Sequence, residues 1–291
     1  MASKVKSNII YNGDCGNLLS DKKRFPDNSI DFIITSPPYA DKRKRFYNSI
    51  HPNKYVEWFI PIGRELYRIL KSDGSFILNI KEHPVNGERG TYVLELILEL
   101  RKLGWFWIEE YCWYKKNSFP GKWANRFRDA WERCLHFTKD AKFRMYQDEV
   151  KVPIGDWAEK RFKSMSENDF RRHVSQTNQS LGRNVSNWLD REKVYPHNVI
   201  VFEEEHYISN VIEFATVCYN KKHSAAFPLE LPAWFLQLFT KKGDIVLDPF
   251  LGSGTTAYSC LLLDRKYIGI EIDKNFIKDA EETISMLLEA N

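Results

Sequence analysis

The stretch DIVLDPFLGSGTTAYSCLLLDRKYIGIEID, residues 244–273, decides the fold of this chain. It contains an apolar segment that ends at Asp248, a turn with two glycines, an apolar helical segment from Thr255, and a second apolar segment that ends at Glu271. Strand, helix and strand in this order form the unit of a parallel α/β sheet, in which ligands bind beyond the carboxyl ends of the strands. The sequence therefore predicts a ligand site between these two strand ends.

The glycine turn, residues 249–254, has the features of a site for a small ligand. Gly252 and Gly254 permit a tight turn that a ligand can approach closely, and Thr255 places a hydroxyl and a free amide at a helix start, where a carboxylate fits. Glu271 ends the next strand, where an acid commonly binds ribose hydroxyls. The third glycine of the dinucleotide fingerprint is missing, which favours a nucleoside without phosphates. An isolated GxG is usually a plain turn, so the surrounding elements carry this interpretation.

The rest of the chain continues the alternation of strands and helices. Apolar runs at 7–14, 29–36 and 75–80 are typical of buried parallel strands. Apolar residues at steps of three and four predict helices over 55–69, 92–103, 227–240, 255–264 and 274–288, the first of them ending near Ser72–Gly74. Two further segments, 105–117 and 132–139, are expected to pair antiparallel. We predict an α/β fold with a doubly wound, mainly parallel sheet.

Residues 139–215 interrupt this pattern, because charges, Asn, Ser and Trp mix there without a βαβ rhythm. We interpret this segment as an insert between residues 1–138 and residues 216–291. Its neighbourhood is basic: residues 115–200 contain 18 Lys and Arg against 11 Asp and Glu. Such a segment is suited to contact phosphate.

Composition limits the class of protein. A chain of 291 residues with 43% hydrophobic content can bury a full-sized core, while a net charge of +4 is too small to identify a partner. The five cysteines are scattered and odd in number, so we expect no disulfide framework, no zinc site and a reducing cytoplasm. No run approaches the roughly 18 apolar residues of a membrane helix, and we expect neither a signal segment nor a membrane span.

A second motif, Thr35-Ser36-Pro37-Pro38-Tyr39, ends the predicted strand 29–36. Consecutive prolines fix their own backbone angles and restrict the residue before them, so Ser36 and the carbonyl of Pro37 are held rigidly. A proline-rich ligand for another domain is the alternative interpretation. A buried strand that leads directly into the motif favours a functional loop instead. We call residues 36–39 the proline loop.

The proline loop followed by the glycine turn resembles the amino-methyltransferases of DNA. The order of the two motifs is similar to that of the circularly permuted beta group, and the likeness extends to residues 12–15, 113–117 and 222–223. The resemblance implies the class I S-adenosylmethionine-dependent methyltransferase fold, with a catalytic part at 1–138, a target-recognition insert at 139–215 and a cofactor-binding part at 216–291. The resemblance does not predict which DNA sequence is recognised, because it does not extend into the insert.

The resemblance also implies roles for individual residues. The proline loop, Ser36, Pro37, Pro38 and Tyr39, holds the target amino group of the base. S-adenosylmethionine is bound by a second set of residues: Asp14, Asp248, Phe250, Gly252, Gly254, Thr255 and Glu271. His223 and Ser224 are weaker candidates for the same site. No metal is required.

A target atom inside duplex DNA is out of reach, so the base must be flipped into a pocket. Tyr39 is the expected stacking platform, with Trp113 as a second candidate. Basic residues close to these motifs are expected to grip the phosphates: Lys42, Arg43, Lys44, Arg45, Lys122, Arg126 and Arg128. The expected partner is therefore duplex DNA.

Several alternatives stay open. Ser36 favours cytosine N4 as the target, whereas Asp at this place is typical of adenine N6 enzymes; adenine is the first alternative. An RNA or small-molecule methyltransferase and an inactive DNA-binding homologue are more distant ones. The resemblance makes a restriction endonuclease for the same site a candidate partner, within a restriction-modification system. Both a monomer and a homodimer are compatible with the sequence.

Overall fold

The computed structural model describes residues 5–40, 50–85, 87–115, 127, 129–154, 163–164, 173–174, 180–181, 192–201 and 228–290. The chain divides into two compact units. Unit 1 consists of Met1–Tyr146 and Asn198–Asn291, and unit 2 of Gln147–His197. Both predicted motifs belong to unit 1.

The described helices are α1 (Cys15–Leu19), α2 (Pro52–Ile69), α3 (Tyr92–Lys102), α4 (Glu230–Phe239), α5 (Thr255–Leu262) and α6 (Lys274–Ala290). The strands of unit 1 are β1 (Ile9–Asn12), β2 (Ile30–Thr35), β3 (Leu70–Ile80), β4 (Pro84–Val85), β5 (Glu88–Arg89), β6 (Phe106–Tyr114), β7 (Trp131–Thr138), β12 (Val199–Val201), β13 (Ile245–Asp248) and β14 (Lys266–Glu271). Those of unit 2 are β8 (Val152–Pro153), β9 (His173–Val174), β10 (Ser180–Leu181) and β11 (Lys193–Val194).

Eight strands of unit 1 form one sheet in the order β1-β14-β13-β2-β3-β7-β6-β12. Neighbouring strands are parallel except at β7, which runs antiparallel to both β3 and β6. The predicted α/β fold with a mainly parallel sheet is confirmed, as is the antiparallel pair β6 and β7. Because β1, β14, β13, β2 and β3 run in one direction, their carboxyl ends share one edge of the sheet.

The central strand β2 is buried along its whole length, which its near-continuous apolar sequence predicts. Asp31 is the charged residue in this apolar strand, and its buried carboxylate is paired with Lys71 at 2.6 Å and with Arg144 at 3.0 Å. It also accepts a hydrogen bond from the amide of Ile245 at 2.9 Å. Removing either cation would leave a partly uncompensated buried charge, so this cluster ties the amino end of β2 to its neighbours.

Helices cover both faces of the sheet. On one face, α2 and α3 bury Phe59, Leu66 and Leu96 in the core that also contains Ile33 of β2. On the other face, Phe239 of α4 stacks on Phe32 with ring centroids 5.7 Å apart. Successive residues of a strand point to opposite faces, which is why Phe32 and Ile33 serve different layers.

The junction between α2 and β3 differs from the prediction. The helix was expected to end near Ser72–Gly74, but it ends at Ile69 and the strand begins at once with Leu70. The register with β2 shifts, since Ile30 pairs with Leu70 and Phe32 with Ser75. A bulge absorbs the additional residues, and Gly74 is needed there because a Cβ atom would lie 2.7 Å from the Asp31 carbonyl oxygen.

The described residues of unit 2 include two small antiparallel pairs, β8 with β11 and β9 with β10. The hydroxyl of Tyr195 donates to Asp148 at 3.1 Å, and Lys151 pairs with the same carboxylate at 2.7 Å. The division of the sequence at 139 and 215 into three parts stays a prediction.

Candidate active site

The two motifs meet at one edge of the sheet. Thr35 is the last residue of β2, and its hydroxyl donates to the carboxylate of Asp248, the last residue of β13, at 2.6 Å. Asn12, at the end of β1, donates to the backbone carbonyl of Glu271, at the end of β14, at 3.0 Å. Parallel pairing therefore joins residues that lie more than 200 positions apart in sequence into one site.

Asp248 lies behind the glycine turn, with 2% of its surface exposed. One carboxylate oxygen accepts from Thr35 and from the amide of Phe250 at 3.1 Å, and the other accepts from the hydroxyl of Thr256 at 2.6 Å. Burial raises the pKa of Asp248 to about 6, although these hydrogen bonds oppose the shift. The side chain therefore joins the turn to the end of β2. Thr35 was given no role from the sequence.

The two glycines of the turn adopt backbone conformations that other residues rarely take. Gly252 has φ of 56° and Gly254 has φ of 89°. A Cβ atom on Gly254 would lie 2.7 Å from the Cβ of Ala280 in α6, whereas one on Gly252 would meet no atom of the described residues within 4 Å. Packing against α6 therefore requires Gly254, while no described residue lies that close to Gly252. Thr255 follows as the first residue of α5.

Glu271 is nearly buried, and three backbone amides hold its carboxylate. Gly252 donates to Oε2 at 2.8 Å, while Ile272 and Asp273 donate to Oε1 at 2.8 and 2.9 Å. Burial nevertheless raises the pKa of this carboxyl. Since a carboxylate has about four lone-pair sites, Oε2 keeps capacity for another donor. The backbone of the glycine turn and the end of β14 are thereby locked together.

Two further predicted residues border this region. Asp14 is exposed, and its carboxylate caps α1 by accepting from the amide of Asn17 at 2.9 Å. The ring of Phe250 lies 5.7 Å from the ring of Trp58, centroid to centroid, and Trp58 lies 5.3 Å from Tyr55. The glycine turn therefore has an aromatic wall supplied by α2.

The proline loop is anchored from α2 and α3. Tyr55 donates from its hydroxyl to the carbonyl of Pro38 at 3.0 Å. Tyr92 of α3 packs on Tyr55 with ring centroids 4.8 Å apart, and its hydroxyl donates to the backbone carbonyl of Lys81. Pro37 is buried, and Ser36 is half-buried with its hydroxyl 3.5 Å from that of Tyr39. The bond from Tyr55 to Pro38 within the loop and the bond from Thr35 to Asp248 before it hold Ser36 at the sheet edge.

The hydroxyl of Tyr39 points into a polar group that sequence analysis missed. It donates to Oε2 of Glu132 at 2.7 Å and lies 3.1 Å from Oδ1 of Asn79. The other oxygen of Glu132 is paired with Lys115. Glu132 is 7% exposed although it carries a charge. The sequence does show an acidic residue at the start of the apolar strand β7, which is unusual. Only the antiparallel pairing of β7 with β3 and β6, however, shows that this residue faces the proline loop.

Most of the other predicted residues lie outside the part of the chain that the structure describes. All seven phosphate-binding candidates lie outside the described residues: Lys42, Arg43, Lys44, Arg45, Lys122, Arg126 and Arg128. The weaker candidates His223 and Ser224 lie outside them as well. Trp113, the second stacking candidate, is 8% exposed, and the Lys115 ammonium lies 4.3 Å from the centre of its ring. That ring is therefore covered within the sheet.

In the part of the chain that the structure describes, no group of three or more His, Cys, Asp or Glu side chains is placed to hold a metal ion. None of the described helices is sufficiently long and apolar to span a membrane.

Comparison with known proteins identifies the family. A family model described as DNA methylase, of the N6/N4 type, matches residues 30–282. Type II methyltransferase M.PvuII of Proteus hauseri is 28% identical over 95% of this chain and 83% of its own length. M.BglII of Bacillus subtilis is 30% identical over 97% of this chain and 70% of its own, and the DNA adenine methyltransferase YhdJ of Escherichia coli K12 is 28% identical over 90% and 79%.

Solved structures agree on the fold. The PvuII DNA methyltransferase, described as cytosine-N4-specific, superposes with a TM-score of 0.67 at 23% identity, covering 96% of this chain and 87% of that one. A DNA modification methylase of Thermus thermophilus, solved with S-adenosyl-L-methionine, gives 0.57 at 22% identity, covering 94% and 91%. The class I methyltransferase fold and the resemblance to the DNA amino-methyltransferases are both confirmed. The chain belongs to the N6/N4 family of DNA methylases, whose methyl donor is S-adenosylmethionine.

Proposed function

We propose that this protein transfers a methyl group from S-adenosylmethionine to the N4 amino group of a cytosine flipped out of duplex DNA. The observation that carries the proposal is the hydrogen bond of 2.6 Å between Thr35 and Asp248. It ties the proline loop to the glycine turn, so that a group held by Ser36 lies beside a ligand held by Gly252. Methyl transfer needs this adjacency, because donor and acceptor must meet in line.

The glycine turn fits the cofactor. No described residue lies within 4 Å of a Cβ placed on Gly252, which leaves room for the ligand among the described residues, and we assign the cofactor's surroundings to Phe250, Gly252, Gly254 and Thr255. The free lone pair on Glu271 is suited to a ribose hydroxyl, and Asp14 to the adenine amino group. Asp248 acts from behind by fixing the turn. When bound, the cofactor supplies an electrophilic methyl group on a sulfonium.

The proline loop prepares the amino group of the base. Its nitrogen lone pair is delocalised into the ring, so attack requires tetrahedral geometry at nitrogen. Ser36 and the Pro37 carbonyl accept the two amino hydrogens and direct the lone pair towards the glycine turn. Tyr39 stacks on the flipped base with its ring. The prolines keep the two acceptors at a fixed separation.

Cytosine is favoured over adenine by the hydroxyl at Ser36, since the resemblance associates Ser with cytosine N4 and Asp with adenine N6. M.PvuII, whose solved structure is described as cytosine-N4-specific, supports the same choice. Adenine N6 is the second candidate, supported by the adenine methyltransferase YhdJ at the same 28% identity.

The remaining assignments concern DNA and context. We propose that Lys42, Arg43, Lys44 and Arg45 grip phosphates beside the proline loop, together with Lys122, Arg126 and Arg128. Sequence readout is assigned to residues 139–215, which include the compact unit 147–197. A restriction-modification system, with an endonuclease for the same site, fits relatives that are type II methyltransferases. We place this action on DNA in the cytoplasm. The protein would act there as a monomer or as a homodimer.

Digestion of methylated DNA to nucleosides tests this proposal. Plasmid DNA from a methylation-deficient host would be incubated with the protein and labelled cofactor, then analysed by mass spectrometry, with RNA in a parallel reaction. We expect label in N4-methylcytosine from DNA. Label in N6-methyladenine would replace the cytosine assignment by the adenine one, and label in RNA alone would overturn DNA as the substrate.

A further inference from the structure

We propose that Glu132 is a positioning residue: through Tyr39 it orients the hydroxyl of Ser36 so that this oxygen accepts a hydrogen bond from the target amino group. The inference rests on the proposed function of the proline loop. It assigns a role to Glu132 and to the Tyr39 hydroxyl, neither of which stacking on a base requires, since a phenyl ring stacks equally well.

The need for orientation comes from the chemistry of serine. A hydroxyl both donates and accepts, whereas a carboxylate at the same place would only accept. If the Ser36 proton pointed at the target nitrogen, it would compete for the lone pair that must attack the methyl group. An acceptor for this proton elsewhere removes the conflict. The Tyr39 oxygen, 3.5 Å away at the long limit of a hydrogen bond, is placed to be that acceptor, and such contacts commonly shorten in the reactive complex.

Tyr39 accepts from Ser36 because its own proton is committed. Oε2 of Glu132 lies 2.7 Å from the phenol oxygen, and Oδ1 of Asn79 lies 3.1 Å from it. The amide nitrogen of Asn79 donates to the Arg133 carbonyl at 3.2 Å, which keeps its oxygen turned towards Tyr39. The shorter, charge-assisted contact takes the proton. The hydrogen bonds therefore run in one direction, from Ser36 to Tyr39 to Glu132.

The charge and burial of Glu132 fix that direction. Lys115 pairs with Oε1, which leaves Oε2 turned to Tyr39. Burial, followed by the charge of Glu132, raises the pKa of Tyr39 well above its usual value, so the phenol retains its proton. A carboxylate that is 7% exposed is costly to bury unless it is fully paired. Its partners here are Lys115 and the phenol of the proline loop.

Replacement of Glu132 by glutamine tests the chain of hydrogen bonds. Lys115 requires an acceptor, so the amide oxygen would face Lys115 and the amide N–H would face Tyr39, which reverses the contact. We expect Glu132→Gln to lower kcat for DNA methylation at least tenfold, while the KM for DNA and the affinity for the cofactor change less than threefold. Glu82→Gln is the matched control, because Glu82 is equally buried and paired with Arg133 at 2.8 Å; its kcat should stay within twofold of wild type.

A double-mutant cycle separates orientation from a general loss of structure. Tyr39→Phe keeps the ring and removes the hydroxyl, and we expect a loss of kcat similar to that of Glu132→Gln. Because both changes break one chain, the double variant should be no slower than either single variant. Additive losses, an unchanged kcat in Glu132→Gln, or an equal loss in Glu82→Gln would overturn the inference. A wild-type protein that fails to methylate DNA would instead overturn the proposed function.

Discussion

The glycine turn and the proline loop lie at the same sheet edge, yet they are built differently. Around the glycine turn, the carboxylates of Asp248 and Glu271 each accept several short hydrogen bonds from the protein itself. In the proline loop, the half-buried hydroxyl of Ser36 lies 3.5 Å from Tyr39. In the first region the protein itself already holds both carboxylates in place, and Oε2 of Glu271 keeps one lone pair for a ligand, whereas the second region presents a hydroxyl oxygen to a substrate. Binding and chemistry should therefore respond to different substitutions.

The strongest test of the glycine turn is Gly252→Val. A Cβ there would meet no atom of the described residues within 4 Å, so the side chain would project into the space that we assign to the cofactor. We expect cofactor affinity, measured by calorimetry, to fall more than 100-fold. Gly243→Val is the control, because Gly243 also has positive φ and no described residue within 4 Å of its added Cβ, but it lies in a turn before β13. Equal affinities in the two variants would remove the cofactor from this turn.

Gly254→Ala should act on stability instead. Its Cβ would lie 2.7 Å from Ala280, and φ of 89° is strained for alanine. We expect the free energy of unfolding to fall by about 2–4 kcal/mol from strain and overpacking. Gly252→Ala introduces backbone strain without a close contact to the described residues, so its free energy of unfolding should fall by about 1 kcal/mol. Urea denaturation measures both, and an equal loss would show that the contact with α6 does not distinguish the two glycines.

Asp248, which links the two regions, should make the free energy of unfolding depend on pH. Its pKa is raised by burial from 3.8 to about 6, so the folded state holds the proton more tightly than the unfolded state. Its contribution to stability should therefore decrease as pH rises from about 4 to about 6, by about 3 kcal/mol, and stay level outside that window. The measurement is the difference in unfolding free energy between wild type and Asp248→Asn across pH. A difference that is flat in this window would contradict the shift.

How far the sequence predicts this site depends on the range of the interactions. Local signals placed Gly252, Gly254 and Glu271 correctly at strand and helix ends, because turns and strand ends follow from neighbouring residues. The carboxylate of Asp248 points into the protein because it accepts a hydrogen bond from Thr35, which lies more than 200 positions away in the sequence. The contact between Glu132 and Tyr39 likewise depends on the antiparallel register of β7. Pairings over such separations leave no pattern in one sequence.

The smallest expected effect concerns the basic segment that follows the proline loop. Replacing Lys42, Arg43, Lys44 and Arg45 by glutamine should weaken binding to target and random duplexes alike, because phosphate contacts carry no sequence information. The salt dependence of binding should become shallower, by about 0.9 in slope for each phosphate that the protein no longer neutralises. Filter binding over a range of salt concentrations measures both. A weakening confined to target DNA would assign base contacts to this segment.

The most direct test of the division between binding and chemistry is single-turnover methylation by the variant Ser36→Ala. Product nucleosides would be measured by mass spectrometry. The affinities for the cofactor and for DNA would be measured on the same preparation. Removing one of two fixed acceptors should slow the reaction about 100-fold or more. We predict slow formation of N4-methylcytosine with both affinities within threefold of wild type. Near-normal turnover would contradict the account, because the Pro37 carbonyl or another group would then hold the amino group without Ser36.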